Sequence, residues 1–266
     1  ILVASLSFYY WGAPVFIYLL VTATIIDFFL IKEIFNSKTI TRKKVFLVGS
    51  LTLNLGLLAY FKYANFFIEN FNMTLNGVGI TEVSWTKIAL PIGISFYTFE
   101  TLTYAIDVYR GVHAPLKRIH HYLLYIVCFP KLIAGPIVRF NLIADQIPNR
   151  NETTDNRIFG FYRFTIGLAK KVLIANTMGE FATATMNLSS DQLDMASAWL
   201  GILAYTFQIY FDFSGYSDMA IGIGKMMGFS FSENFDNPYN SRSITEFWRR
   251  WHMTLGEWMK NYLYIP

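Results

Sequence analysis

Long apolar stretches of membrane-spanning length dominate this chain and leave it few ways to fold. Residues 14–31, 45–61, 88–109 and 195–213 are apolar, and each reaches the roughly 17–25 residues that a helix needs to cross a bilayer. Charged residues make up only 15% of the chain, whereas an ordinary soluble domain carries about 25%. These stretches predict an all-α, polytopic membrane protein in which residues 1–266 form a single membrane-embedded domain.

Basic loops between the apolar stretches determine the predicted orientation. Residues 32–44 carry five Lys or Arg against one Glu, and residues 110–120 carry three more Lys or Arg. Since Lys and Arg are enriched on the cytoplasmic side, both loops are predicted to be cytoplasmic, and the polar residues 62–87 are predicted to be an external connection. No basic stretch contains a motif that reads nucleic acid, so no nucleic-acid partner is predicted.

An apolar segment with helix-breaking residues follows the second basic loop. Residues 121–138 contain Pro130 and the pair Gly135-Pro136. Non-helical backbone at membrane depth is tolerated only where protein or a water-filled cavity covers it. Residues 129–139 are therefore predicted to be a re-entrant or cavity-lining element. An amphipathic helix is predicted after it, at residues 158–178.

Residues 216–229 predict a short helix with regularly spaced glycines. The pattern around Gly222, Gly224 and Gly228 resembles a nucleotide-binding loop only superficially, because its spacing is off by one residue and no strand precedes it. Small residues that let two helices approach closely explain the pattern better.

The segment from Tyr239 to His252 is the most informative one for function, because it places one of only four histidines in an aromatic, basic context. Ser243, followed three residues later by Glu246, predicts a capping box that starts a helix. The apolar stripe of this predicted helix comprises Ile244, Phe247, Trp251, Leu255, Trp258 and Tyr262. An ionisable group in an apolar membrane protein indicates a functional site, whereas a lone histidine on an amphipathic helix is more often a packing or hydrogen-bonding residue. Both interpretations stay open at this point.

Two carboxylates, Asp212 and Asp218, lie in a run with three hydroxyl-bearing residues after the last long apolar stretch. One interpretation is a polar cavity lining in which a carboxylate orients Arg249 or His252. The other is a helix-capping turn with Asp218 in the first turn. His252 has no metal-ligand partner at helical spacing, and the single cysteine, Cys128, excludes a cysteine-based zinc site, so no metal site is predicted.

Six segments carry a family resemblance: Tyr60–Phe67, Leu90–Phe99, Tyr104–Gly111, Phe129–Arg139, Asp212–Asp218 and Asn237–Pro266. Together they resemble the bacterial branch of the membrane-bound O-acyltransferase family, and the run Phe247-Trp-Arg-Arg-Trp-His252 is the most specific part. The resemblance implies a ring of tilted transmembrane helices around a tunnel, with re-entrant and amphipathic helices, in the bacterial inner membrane. It also implies a thioester acyl donor such as acetyl-CoA, no bound cofactor, and contacts with membrane lipid and with a periplasmic polysaccharide O-acetyltransferase partner.

The resemblance also supplies a candidate site. His252 corresponds to the first of two family histidines, and the second, in a Trp-His-Gly context, would lie downstream of Pro266. We therefore expect this chain to be a fragment, truncated at both ends, that carries half a site and is inactive alone. The candidate residues lining the site or binding the donor are Trp248, Arg249, Asp212, Asp218, Tyr239 and Asn240.

The predicted function is transfer of acetyl groups from a cytoplasmic donor for O-acetylation of an exported polysaccharide. A histidine would act as general base or as a transient acyl acceptor, and Arg249 is a better candidate than Arg250 for stabilising negative charge. The alternative is a transporter or export-channel subunit without acyl chemistry. Use of a thioester donor distinguishes the two.

Overall fold

Helices make up the regular structure of residues 1–189 and 191–265, the part of the chain that the computed structural model describes, and no strand occurs there. This confirms the all-α prediction. The contacts divide the chain into two units: Ile1–Ile133 with Arg139–Ile147, and Ala134–Val138 with Pro148–Pro266. Each unit is described by itself, and the single membrane-embedded domain stays a prediction.

The first unit is built around a core of long helices with shorter ones packed against them. Its α-helices are α1 (Leu2–Gly12), α2 (Phe16–Asn36), α3 (Ile40–Gly77), α4 (Ile94–Arg110), α5 (Ile119–Val127), α6 (Phe129–Leu132) and α7 (Phe140–Ile143), followed by a 3-10 turn at Ala144–Gln146. Helix α2 packs against α3, α4 and α5, so it lies at the centre of this unit.

The second unit is built around one helix of 32 residues. Its elements are α8 (Thr154–Ala169), a π turn (Lys170–Ala175), α9 (Asn176–Met186), α10 (Met195–Met226), a 3-10 turn (Pro238–Asn240), α11 (Ile244–Arg250), α12 (Met253–Met259) and a second π turn (Lys260–Tyr264). Helix α10 packs along α8 and α9. The predicted helices 195–213 and 216–229 are therefore one continuous helix.

The external location of residues 62–87 stays a prediction, but the first part of this connection is not a loop, because α3 continues to Gly77. Its amide side chains bind the segment that returns after the helix. Asn65 Oδ1 accepts from Ile88 N at 3.0 Å, and Asn72 Oδ1 accepts from Val83 N at 2.9 Å. The polarity that suggested a solvated loop instead satisfies backbone groups of the returning chain.

One described helix, α3, is both long enough and apolar enough to cross a membrane. It contains the predicted span at residues 45–61. The other predicted spans, and the ring of helices around a tunnel, stay predictions.

A buried carboxylate connects the helices of the first unit. Asp27 on α2 is fully buried. Its Oδ1 accepts hydrogen bonds from Ser50 Oγ and from Asn54 Nδ2 on α3, and its Oδ2 accepts one from Tyr122 OH on α5 at 2.5 Å. Burying a carboxylate costs free energy unless hydrogen bonds compensate, so these donors fix how α3 and α5 lie against α2.

A buried ion pair holds α6, which lies at the start of the segment predicted to be re-entrant or cavity-lining. Lys131 Nζ lies 2.5 Å from Glu100 Oε2 on α4, and the two side chains are 0% and 2% exposed. Lys131 Nζ also donates to Tyr125 O on α5. Because a buried cation must be paired, this contact determines where the chain runs after α5.

Glycines form the seam between α8 and α10 in the second unit. A Cβ built on Gly160 would lie 2.6 Å from Gly222 O, and one built on Gly167 would lie 2.5 Å from Gly215 O. The two backbones therefore touch, as small residues permit. This confirms the close-approach interpretation of Gly222. The seam brings the polar side chains of α8 within reach of those on α10.

We predict that Gly93→Ala destabilises the first unit more than Gly79→Ala. Both glycines have φ of +74°, so both substitutions incur the left-handed backbone cost of about 1–2 kcal/mol. At Gly93 alone the new Cβ would also lie 2.4 Å from Leu132 O, whereas nothing lies within 4 Å at Gly79. Forced repacking typically adds about 1–3 kcal/mol. Thermal unfolding of the two variants in detergent measures the difference, and equal melting temperatures would contradict it.

Candidate functional site

The predicted continuous helix through His252 is wrong, because the helix ends before this residue and a new one begins after it. Helix α11 ends at Arg250, Trp251 is extended, and His252 has φ 43° and ψ 52°, the left-handed conformation. Such a conformation costs a non-glycine residue about 1–3 kcal/mol, so the surrounding structure must impose it. His252 is thus the N-cap residue of α12.

The start of α11 agrees with the prediction. Ser243 Oγ accepts from Glu246 N at 3.1 Å, as an N-cap side chain should. Glu246 Oε2 reaches back and accepts from Arg242 N at 2.9 Å, one residue before the cap. The capping pattern therefore predicted where the helix begins but not where it ends.

The imidazole of His252 packs against an aromatic ring and keeps a polar atom without a partner. Its ring centroid lies 4.7 Å from that of Phe213 on α10, at an angle of 78°. The Nε2 atom is buried and has no hydrogen-bond partner in the structure. Burial lowers the pKa of His252, which lies outside the candidate membrane span, to about 4. The side chain is therefore neutral near pH 7.

Aromatic rings surround this segment, and Tyr239 is one of them. Its ring centroid lies 6.2 Å from that of Trp251 and 5.2 Å from that of Tyr210, and its hydroxyl donates to Thr206 O at 3.0 Å. Tyr239 thus joins the aromatic cluster next to His252. Asn240, by contrast, is exposed at the end of the 3-10 turn.

Trp248 and Arg249 are exposed and line a cavity of about 820 Å³ together with Met253, Lys260 and other residues of the last turns. Neither Asp212 nor Asp218 lines this cavity. The structure therefore groups two of the predicted site residues on the outer face of α11 and α12 and places the predicted carboxylates elsewhere.

Asp218 pairs with cations of α8 and of the π turn after it, and not with Arg249 or His252. Arg163 Nε donates to its Oδ1 at 2.8 Å, and Lys170 Nζ donates to its Oδ2 at 2.6 Å. Asp218 lies inside α10, so the helix-capping interpretation is wrong as well. The available signal was the seven-residue spacing of Arg163 and Lys170, which places both on one face of a helix.

Asp212, which lies earlier on α10, also pairs with a lysine of the π turn. Its Oδ1 accepts from Lys171 Nζ, and the two side chains are 46% and 41% exposed. Both predicted carboxylates therefore pair with the two lysines at the start of the π turn, Lys170 and Lys171.

A cavity of about 290 Å³ opens beside the Asp218 pairs. Ser214 lines it, and its Oγ is buried without a hydrogen-bond partner. The polar or charged residues lining this cavity are Arg163, Lys170, Tyr210, Ser214, Ser217, Asp218, Glu233, Asn234 and Asn237. Sequence reasoning missed Arg163, Glu233 and Asn234.

Charge balance determines what the smaller cavity can hold. Arg163 pairs with both Asp218 and Glu233, so two cations face two carboxylates. Such a site suits a neutral polar group better than a free anion. In the part of the chain that the structure describes, no three His, Cys, Asp or Glu side chains come together as metal ligands. The absence of a metal site stays a prediction.

The model of MBOAT, the membrane-bound O-acyltransferase family, matches residues 116–266, more than half of the chain. The chain belongs to this family. The match includes Asp212, Asp218, Tyr239, Asn240 and the whole segment around His252.

Named relatives agree with this assignment. The chain is 45% identical over 266 residues to a probable alginate O-acetylase AlgI of Pseudomonas aeruginosa, covering all of this chain and 51% of the relative. It is 35% identical over 293 residues to a peptidoglycan O-acetyltransferase of Helicobacter pylori, covering all of this chain and 55% of the relative. It is 28% identical over 177 residues to a teichoic acid D-alanyltransferase of Bacillus subtilis, covering 65% of this chain and 45% of the relative. The chain spans about half the length of these relatives.

We predict that Asp218→Asn lowers the free energy of unfolding by about 1–3 kcal/mol, because it leaves the part-buried Lys170 without its carboxylate and Arg163 with Glu233 alone. Asp212→Asn is the matched control, since it makes the same change on the same helix at a pair that is nearly half exposed. Exposed pairs contribute about 0–1 kcal/mol. Chemical denaturation in detergent measures both, and an equal effect of the two variants would rule out a special role for the Asp218 pairs.

Proposed function

We propose that this protein transfers acyl groups, most simply acetyl groups, from a cytoplasmic thioester donor across the bacterial inner membrane for O-acetylation of an exported polysaccharide. The observation that carries the proposal is the imidazole of His252, which is neutral and whose Nε2 has no hydrogen-bond partner. Its backbone is left-handed, and it lies in the region that the family model matches. Family membership and relatives named for O-acetylation support it. Acetyl-CoA or a related thioester is the proposed donor, and no bound cofactor is needed.

The proposed architecture follows from the family and from the charge pattern. We propose several membrane-spanning helices in a ring around a tunnel, through which the acyl group passes from the cytoplasmic to the periplasmic side. A periplasmic O-acetyltransferase would then place the group on the polysaccharide. Membrane lipid would cover the many exposed apolar side chains of the described helices, such as Phe29, Phe67 and Trp199.

His252 would act through Nε2, the ring nitrogen that has no hydrogen-bond partner. A buried polar atom without a partner costs free energy, so an acceptor hydroxyl that donates to Nε2 gains a hydrogen bond on binding. As the hydroxyl oxygen attacks the thioester carbonyl, Nε2 would take the hydroxyl proton and then return it to the departing thiolate. Alternatively, Nε2 would itself attack the thioester carbonyl, the C–S bond would break to release the carrier thiolate, and the acceptor hydroxyl would then take the acyl group from the nitrogen.

The pKa of His252 is compatible with both roles. A resting pKa of about 4 keeps the imidazole in the unprotonated form that both roles require, although it makes the nitrogen a weak base. A developing negative charge next to the ring would raise that pKa during the reaction, because an opposite charge favours the imidazolium.

Trp248 and Arg249 are proposed to bind the donor. The 820 Å³ cavity that they line also contains Lys260, with Glu257 as its acidic member. A site of this size falls in the range of about 300–1,000 Å³ that small ligands and cofactors occupy. Guanidinium groups bind phosphate through two parallel hydrogen bonds, so Arg249 suits the phosphates of a thioester carrier.

We predict that His252→Asn abolishes polysaccharide acetylation in the complete gene product while membrane abundance stays normal. Asn tolerates the left-handed conformation but takes up no proton near neutral pH. Loss of a positioned general base typically lowers the rate by about 10²–10⁴. Acetyl content of the polymer and thioester turnover in membranes measure the effect.

Two further variants at His252 separate the loss of the imidazole from the strain of the backbone. His252→Gly removes the imidazole and relieves the left-handed strain, whereas His252→Ala removes the imidazole and keeps that strain, so the Ala variant should have the lower melting temperature of the two. Wild-type acetylation by His252→Asn would show that the imidazole is structural and would overturn the proposed role. A protein that moves solutes without consuming any thioester would favour the export-channel alternative.

We predict that cysteines at Lys38 and Ala114 are labelled only after the inner membrane is opened. Both residues are exposed and lie in the loops predicted to be cytoplasmic, since those loops are basic. Ser37 is a poorer position because it is buried and donates to Glu33 O. The native Cys128 is only 1% exposed and gives little background. Labelling of either position in intact spheroplasts with an impermeant maleimide would contradict the topology.

A further inference from the structure

Backbone hydrogen bonds from residues 234–236 bracket the left-handed residue. Asp236 N donates to Arg250 O at 3.0 Å, and Met253 N donates to Asn234 O at 2.9 Å. These two bonds lie on either side of His252 and replace helical bonds that its conformation removes. The loop after α10 therefore pins both the end of α11 and the start of α12.

The side chain of Asn234 adds a second set of bonds. Its Oδ1 accepts from Thr254 Oγ1 at 2.9 Å and from Thr254 N at 3.4 Å, and its Nδ2 donates to Ser217 Oγ on α10 at 3.1 Å. Asn234, Thr254 and Ser217 are 1%, 3% and 2% exposed. In an interior of this kind each bond restrains its partners strongly, because no water replaces it.

These contacts fill a role that usually belongs to the N-cap residue. The side chain of an N-cap residue normally accepts a hydrogen bond from the second or third backbone N–H of its helix. His252 makes no such bond. Thr254, at the second position of α12, instead bonds to Asn234, which lies outside the helix. The cap comes from another segment, and the imidazole stays available.

We infer that Asn234 is the positioning residue for His252. It supplies the cap of α12 from outside the helix, holds residue 252 in the left-handed conformation, and leaves the imidazole free for acyl transfer. This inference rests on the proposed catalytic role of His252. Asn234 acts through His252 and fills this role without contact with the substrate.

The same relay reaches the segment that the sequence predicted to be cavity-lining. Ile137 N, one residue after Gly135-Pro136, donates to Thr254 Oγ1 at 2.9 Å. Thr254 Oγ1 therefore accepts a hydrogen bond from this segment and donates one to Asn234. The position of His252 is thus coupled to the path of Ala134–Val138 through one hydroxyl.

The test compares Asn234→Ala with Asn72→Ala in the complete membrane-embedded enzyme, using acetyl-CoA as donor. The side chain of Asn72 on α3 makes two hydrogen bonds to the backbone of Val83, and both bonds are exposed. We expect Asn234→Ala to lower kcat by roughly 10–100-fold through misplacement of the imidazole, with the KM for the donor changed at most about threefold. Asn72→Ala should leave both constants unchanged. A wild-type kcat for Asn234→Ala overturns the inference.

A double-mutant cycle separates positioning from a general effect on folding. In the His252→Gly background the imidazole is absent, so Asn234→Ala should cause almost no further loss of kcat. An undiminished loss in that background overturns the inference. If His252→Asn were fully active, the proposed catalytic role of His252 would fail, and the positioning role with it. If His252→Asn were inactive and Asn234→Ala kept wild-type kcat, only the positioning role would fail.

Thr254 gives a second pair in case Asn234→Ala does not accumulate in the membrane. Thr254→Val preserves the shape and removes the hydroxyl, whereas Thr254→Ser keeps it. We expect the Val variant to lose kcat as Asn234→Ala does and the Ser variant to stay within about threefold of wild type. Equal kcat for the two variants, at equal membrane abundance, overturns the inference.

Discussion

Direct contact between the backbones of α8 and α10 is the constraint on which the second unit depends. Gly160 and Gly167 face Gly222 and Gly215 across the seam with no room for a Cβ. This closeness brings the cations of α8 and its π turn onto the carboxylates of α10. It also turns the opposite side of α10, with Phe213 and Ser217, towards the loop and short helices that carry His252.

Charge pairing along this seam explains why only a few polar atoms stay unsatisfied near the site. Asp218 uses both oxygens on cations, and Arg163 also reaches Glu233. Against that background Ser214 Oγ and His252 Nε2 are buried without partners. Native structures leave few such atoms, and each calls for an explanation. Under the proposed function, substrate hydroxyls would supply the missing hydrogen-bond partners of these two atoms.

Much of the fold followed from local sequence patterns, since helix starts and close helix contacts depend on neighbouring residues. The capping pair Ser243 and Glu246, and the glycine spacing around Gly222, were predicted for this reason. The partners of Asp218 were not, because they lie on α8 and on the π turn after it, which are distant in sequence from Asp218. The length of α3 was also missed, since the polarity of residues 62–77 serves contacts with a segment that folds back later. Local patterns contain no information on such partners.

The break at His252 was unpredictable for a related reason, and it is also what makes the site possible. No glycine or proline marks residues 251–252, so the apolar stripe continued to predict one helix across them. In a continuous helix the ring of His252 would lie over the preceding turn. The pinned, left-handed backbone removes that constraint and presents the imidazole to α10 instead.

The left-handed conformation costs free energy at His252, and the buried hydrogen bonds of Asn234 and Thr254 offset this cost from outside the helix. A histidine that capped its own helix would satisfy the backbone with the same atoms that acyl transfer requires. In the proposed mechanism, Asn234 holds the backbone and His252 reacts, so one segment is both fixed in position and available for acyl transfer.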